Sequence, residues 1–419
     1  MGVLIANFLL YFIYFLFNVK GTGLLFKALL MMYMFVSLSS LFIWESGIYS
    51  FLHRNHIITN EISIYPFLYL FATFIFLFEP IKKFNESKIE MVVLDDKFRI
   101  EILGKLCIVF GLGLLVLLLL FVDYNASLEN ASEVYRDSED GELAMPVFLY
   151  RLYTLHRLLY PFILLLGFYY LSFKSEFRFK TILLLVAAVI PKVFVSIVLV
   201  SRGGLFFIII ELMTCFLIFR RFIPQRTKRL LYVGSLFIVA LLTSVVVIFT
   251  ASRFGNSAFG PLMSVFKYFG ESFLNFNSTF WGNIQEHPMS EFKFPFLYQF
   301  YDIPRTFLSR SDQYSFFSDM TGTNVLLFKT IVGDFYVEFG IVLGALILFL
   351  ISRLFIKFVR FENTIRFSSL IPFLYYYELV FIGVFDLLWH GKFLFQLIVF
   401  TSLIYVFIRY RIKLGLAFK

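Results

Sequence analysis

The chain has 419 residues, of which 60% are hydrophobic and only 16% charged, and Phe alone occurs 61 times. Soluble domains are about 45–50% apolar and about 25% charged, and a water-soluble fold has too little interior to hide this much apolar surface; a soluble enzyme, a disordered regulator, a coiled coil and a disulfide scaffold are excluded. A net charge of +9 would suggest nucleic acid on a soluble chain, but on a membrane chain it reflects Lys and Arg gathered in cytoplasmic loops, so no nucleic-acid partner is expected.

A span needs about 20 largely apolar residues. Eleven stretches qualify, near 2–19, 26–44, 62–78, 102–122, 148–172, 181–200, 204–219, 230–250, 331–352, 367–386 and 393–408. They are long and do not alternate, which predicts helices rather than barrel strands. The expected fold is all-α: one integral membrane domain over 1–419 with about 11 transmembrane helices, no internal repeat and no soluble domain. The first stretch lacks a basic leader and is long enough to span, so it reads as a helix rather than a cleaved signal peptide. Cys107 and Cys215 lie in apolar runs and read as packing or lipid-facing residues.

The loops sort by charge. Lys82, Lys83, Lys88, Lys97 and Arg99 cluster in 79–101, Arg220, Arg221, Arg226, Lys228 and Arg229 in 220–229, and Arg353, Lys357, Arg360 and Arg366 in 353–366. The intervening loops are poor in Lys and Arg; 123–147 carries seven acidic residues against Arg136 alone. The positive-inside rule then predicts an outer N-terminus and a cytoplasmic C-terminus. Residues 251–330 form one long outer loop, dense in Phe and Tyr. Its stretches read as short amphipathic helices at the interface or folded back onto the bundle. The inner segment 84–103 reads as a solvated connector.

Cations on the wrong side are the informative residues. Arg202 lies in the tight outer turn SRGG, Arg253 in ASRFG where the long loop begins, and Arg151 and Arg157 at the outer end of their span; Lys267, Arg305, Arg310 and Lys329 follow in the loop. Charges near the bilayer are functional hypotheses by default, and the Arg fork grips phosphate bidentately. The bland alternative is snorkelling to phospholipid headgroups. Lys192 and Glu211 flank the SRGG turn nearly symmetrically, about 14 Å below it at 1.5 Å per residue, which predicts an intramembrane ion pair; a transporter's proton relay is the sharper alternative.

There is no HExxH, no paired His and carboxylates at metal spacing, no P-loop and no GxSxG, so no metal or nucleotide cofactor is expected. Any reaction would draw on energy stored in its substrate, as in a sugar on a lipid diphosphate. It would need cations for the leaving group and one base for the acceptor hydroxyl. His287, Glu271, Glu286, Asp302 and Glu338 are the base candidates, and the sequence does not choose among them. Tyr268, Phe269, Phe280, Trp281, Tyr298 and Tyr301 offer faces for sugars, although interfacial anchoring also explains such residues.

The outer SRG turn (Ser201, Arg202, Gly203), the Tyr-rich outer loop with Tyr268 and Gly270, and the run GTNVLLFKTIVGDFYVEFGIVLG resemble the bacterial O-antigen polymerases (the Wzy family). Thr323, Asn324 and Val325 match that family's TN-V segment, and Glu338, Phe339 and Gly340 its acidic-Phe-Gly span start, with Glu where Asp is common. The Arg-x10-Gly pattern of some members is missing, so its roles are not carried over. The resemblance implies a glycosyltransferase at the periplasmic face of the inner membrane, without metal or nucleotide, joining undecaprenyl-diphosphate-linked oligosaccharide repeat units, with a chain-length regulator as a possible partner. In that reading Arg202 and Arg253, assisted by Arg305 and Arg151, hold the donor diphosphate. Tyr268, Asn324 and Glu338 shape the sugar site, and His287 or Glu271 activates the acceptor. An O-antigen ligase and a lipid-linked oligosaccharide flippase are the alternatives.

Overall fold

A computed structural model describes residues 1–52, 61–122, 145–173, 178–199, 202–234, 244, 261–298, 306–307, 310–358, 363–387 and 391–410. Six helices are long and apolar enough to cross a membrane, and four shorter apolar helices accompany them among the described residues. These ten coincide with ten of the eleven expected spans; the span expected at 230–250 lies mostly outside the described residues. The chain is therefore a helical membrane-spanning protein.

The helices are α1 (Gly2–Asn18), α2 (Leu24–Glu45), α3 (Ile48–Leu52), α4 (Ile64–Lys83), α5 (Lys97–Phe121), α6 (Val147–Phe173), α7 (Arg178–Val198) and α8 (Arg202–Phe219). After the charged turn at 220–224, residues 225–234 are helical. Then come α9 (Pro261–Asn275), α10 (Pro295–Tyr298), α11 (Arg310–Thr321), α12 (Thr330–Phe358), α13 (Phe367–Ile382) and α14 (Gly391–Arg409). Burial distinguishes their positions: 72% of the most apolar window of α6 is buried but only 22% of that of α12, so α6 is central and α12 turns most of its surface outward.

The segment 84–103 is more structured than a solvated connector. Glu86 caps the start of α2 by accepting from the Leu24 amide, which satisfies one of the orphan donors of a helix N-terminus. Met91–Val93 (β1) pairs in parallel with Thr364–Arg366 (β2), Val92 opposite Ile365, a small exception to an all-helical chain. Asp95 accepts from the Ser368 amide at 3.0 Å and lies 3.5 Å from Arg409. Arg99 donates to the Phe407 and Tyr410 carbonyls at 2.7 Å each, serving the otherwise unpaired end of α14. Charges that hydropathy assigns to a loop thus tie α5, α13 and α14 together.

The long loop folds back onto the bundle. α9 crosses α2 at Gly270, where an added Cβ would sit 2.6 Å from the Ser39 carbonyl carbon; only the bare glycine permits this approach. Ser40 donates to the Gly270 carbonyl at 2.8 Å. Beyond the crossing, Phe273 enters the aromatic core of Tyr11, Tyr33 and Phe74. A five-residue π-helix, Phe276–Phe280, continues α9, a local widening often found at functional sites.

Candidate functional site

Buried charged groups gather in two places: a junction where the loop after α9 is stitched onto α12, and a cavity among the helices.

The junction depends on a break in α12. Gly340 has φ 77° and ψ −177°, a conformation open essentially to glycine alone. The break ends the helical ladder, and two carbonyls just before it accept from the loop instead. The Met289 amide donates to Glu338 O at 2.9 Å, and His287 Nδ1 contacts Val337 O at 2.8 Å. A carbonyl can only accept, so Nδ1 carries a hydrogen, and the tautomer compatible with this bond has its lone pair at Nε2. The half-buried His287 ring stands edge-on to Tyr336, which stacks on Trp281 at 5.4 Å between ring centroids.

Asp334 and Glu338 lie one turn apart on α12 and face the same loop. Glu338 accepts from the Phe292 and Lys293 amides at 3.2 and 3.1 Å through Oε1. Asp334 Oδ1 meets Lys293 Nζ at 3.1 Å and Lys329 Nζ at 3.4 Å, while Asp334 Oδ2 accepts from the Leu387 amide at 2.6 Å. Lys293 also reaches Asp386 at 3.7 Å, and its own carbonyl accepts from Gly391 N at 2.9 Å. Lys329 donates to the Val325 and Leu327 carbonyls at 2.8 and 3.2 Å. Burial alone would lower the Lys293 ammonium, but Asp334 and Asp386 outweigh it and hold it above its ordinary value. Burial, and then the Asp334 charge, push the Asp386 carboxyl up to about 7. Buried charges this dense persist only when paired and hydrogen-bonded. The cluster clasps the loop, α12 and the α13–α14 connection together.

The cavity, of about 200 Å³, lies among α6, α7, α8, α13 and α14, with Tyr153, Arg157, Lys192, Glu211, Tyr375 and Glu378 on its walls. Lys192 and Glu211 form the expected ion pair at 2.5 Å. Lys192 stands over the Tyr160 ring at 4.0 Å and Arg157 over Phe393 at 4.2 Å. Gly204, in the first turn of α8, also lines the cavity.

The residues expected from sequence fall in different places. Arg253 and Arg305 lie outside the described residues, as does the side chain of Arg202, whose backbone opens α8. Arg151 is exposed on α6. Glu271 is buried on α9, and Tyr268 packs edge-on to Phe328 at 5.1 Å. Asn324 Oδ1 accepts from the Leu326 amide at 3.0 Å, a turn-forming role. Among the base candidates, Glu338 spends one carboxylate oxygen on two loop amides, whereas His287 keeps an acceptor nitrogen. His287 and Glu338 meet at the junction, and Asp302 lies outside the described residues. Lys293, Asp334, Asp386 and Glu378 escaped the sequence reading. The one available signal was the four-residue step from Asp334 to Glu338, which places both acids on one helical face. No family model, curated protein or solved structure matches the chain.

Proposed function

We propose that the chain is a glycosyltransferase that polymerises undecaprenyl-diphosphate-linked oligosaccharide repeat units of O-antigen or capsule at the periplasmic face of a bacterial inner membrane. The observation that carries this reading is His287. The Val337 carbonyl, just before the break at Gly340, holds it by Nδ1, which leaves Nε2 as an acceptor. In the proposed step Nε2 takes the proton of the acceptor hydroxyl. The hydroxyl oxygen bonds to the donor's anomeric carbon, the bond from that carbon to the diphosphate breaks, and its electron pair leaves on the diphosphate. Arg202 and Arg253, with Arg305 and Arg151, would receive that charge. The resemblance around 323–340 favours a polymerase over a ligase, and the same segment builds the junction.

A surface-glycan gel of a deletion strain, complemented with the wild type or with His287→Ala, tests the reading. The ladder should collapse to core plus a single repeat in the deletion strain and in the variant, and the wild type should restore it. Loss of every repeat from the core, with polymer accumulating on the lipid carrier, would mean a ligase. Single repeats trapped on the inner leaflet would mean a flippase, the reading to which Lys192 and Glu211 lend themselves. Normal chain lengths with His287→Ala would remove His287 from the reaction.

A further inference from the structure

The cavity among α6, α7, α8, α13 and α14 is lined by two cations, Arg157 and Lys192, and two acidic side chains, Glu211 and Glu378. The acids do not both carry charge. Glu211 and Glu378 are buried and hydrogen-bonded to each other. An ionised carboxylate only accepts, so a bond between two carboxyl groups requires one proton, and the pair carries a single negative charge. Lys192 stands 2.5 Å from Glu211, which marks Glu211 as the charged member and Glu378 as the one that holds the proton. The described lining therefore sets two positive charges against one negative charge. Arg202 opens α8 close to Gly204, another lining residue, with its own side chain outside the described residues; an arginine there adds only positive charge.

The surplus charge sits on Arg157. Glu211 neutralises Lys192, whereas half-buried Arg157 makes no ion pair or hydrogen bond among the described residues; its close partner is the Phe393 ring at 4.2 Å. The ring attracts the cation through its quadrupole but offers no oxygen to the five N–H donors of the guanidinium. A neutral hydroxyl would serve those donors and leave the charge uncompensated, which is costly in a low-dielectric bundle. An oxyanion does both, and the Arg fork grips it bidentately. The volume also fits: a cavity of about 150 Å³ holds benzene, and about 200 Å³ leaves room for a phosphate group, or for a carboxylate with the ring that bears it.

We propose that this cavity binds one singly charged oxyanion on Arg157, and that the proton shared by Glu378 and Glu211 keeps the site positive enough to hold it. Two sources carry that chemistry, the phosphodiester of a lipid headgroup and the carboxylate of an acidic sugar. A polymerase, a ligase and a flippase would each accommodate such a site, so its test does not depend on polymer formation. The full chain is titrated at neutral pH by saturation-transfer NMR with dimethyl phosphate, with glucuronate and, as the neutral control, with methyl glucoside. The titrations are run in maltoside micelles and again in phosphatidylcholine nanodiscs. At least one anion should give a saturable signal in micelles and outcompete methyl glucoside. A dimethyl phosphate signal that disappears in nanodiscs would identify the lipid headgroup as the source, and glucuronate binding in both media the acidic sugar. Arg157→Gln should weaken anion binding about tenfold or more, the loss of a hydrogen bond to a charged group. Glu378→Gln, an uncharged copy of the protonated carboxyl, should leave the affinity unchanged and should remove a carboxylic-acid band from the infrared spectrum. Circular dichroism of both variants checks that they remain folded. No saturable signal from either anion, methyl glucoside binding as well as the anions, or a folded Arg157→Gln that binds like the wild type would each overturn the proposal. So would a Glu378→Gln that binds about tenfold or more tighter, the sign that a second carboxylate charge had been removed. If an anion binds while the deletion strain keeps its normal ladder, the cavity assignment stands and the polymerase reading falls.

Discussion

The ionic clasp makes a quantitative prediction through Lys293. Replacing it by Met keeps the length of the chain but removes the ammonium 3.1 Å from Asp334 and 3.7 Å from Asp386. Breaking a buried pair by deleting one partner costs about 3–5 kcal/mol, because an uncompensated charge is left behind. Asp334 keeps Lys329 at 3.4 Å and the Leu387 amide at 2.6 Å, which places the expected loss near the lower end, about 3 kcal/mol. Equilibrium unfolding of the full chain by SDS in mixed micelles reads it. The double variant Lys293→Met/Asp386→Asn removes one charge of each sign and should recover part of the loss. A Lys293→Met penalty below about 1 kcal/mol, the range of a surface pair, would refute the clasp, as would a double variant that loses the full sum of the two single effects.

Gly340→Ala should destabilise by about 1–3 kcal/mol for its backbone alone. It should also displace His287, since the new Cβ would lie 3.2 Å from Nε2; a wild-type glycan ladder at wild-type stability would contradict this. Asp386 titrates near 7 in the folded chain against an ordinary 3.8. The folded state therefore keeps this proton longer than the unfolded one, and its stabilising effect is fully present below about pH 4 and lost as the pH rises through about 7. Asp386→Asn should flatten the pH dependence of the SDS midpoint across that window; a wild-type midpoint that rises with pH there, or an unchanged slope in the variant, would count against the assignment. Lys192→Leu should cost about 3–5 kcal/mol by stranding the Glu211 carboxylate. Lys192→Leu/Glu211→Leu should return most of that, and a double variant no better than the single one would show that the pair is not the unit.

The spans were legible because each is a local property: roughly 20 apolar residues announce themselves without reference to the rest of the chain. The Lys192–Glu211 pair was legible for a related reason, since a tight turn brings residues equidistant from it to one depth. The clasp was not. Lys293 meets Asp334 and Asp386 across 41 and 93 positions of sequence, and nothing local distinguishes it from the other Lys residues of the loop. Glu378 was hidden by the Tyr run before it, which reads as packing. The tertiary ties of the 84–103 segment are not legible in sequence because its charges look like those of any inner loop; their partners, the ends of α13 and α14, lie more than 260 residues away. Glu338, Phe339 and Gly340 were noticed as a motif, but their physical sense depends on the loop that fills the broken helix.

The clasp and the cavity are also joined through α14. The Gly391 amide donates to the Lys293 carbonyl at 2.9 Å, which seats the first turn of α14 on the clasp. That turn then carries Phe393 under Arg157, and Phe395 against Phe296 of the loop helix α10 at 5.5 Å. A disturbance at Lys293 therefore has a short mechanical route to the guanidinium that faces the cavity. Contacting or commonly supported residues depart from additivity by about 0.5–3 kcal/mol, whereas independent sites add within about 0.5 kcal/mol. Lys293→Met and Arg157→Lys, combined, should thus shift the SDS unfolding free energy by an amount different from the sum of their separate effects. Arg151→Lys, exposed on α6, supplies the control and should combine with Lys293→Met additively. Additivity in both cycles would mean that the loop clasp and the cavity work independently, with α14 serving only as a wall.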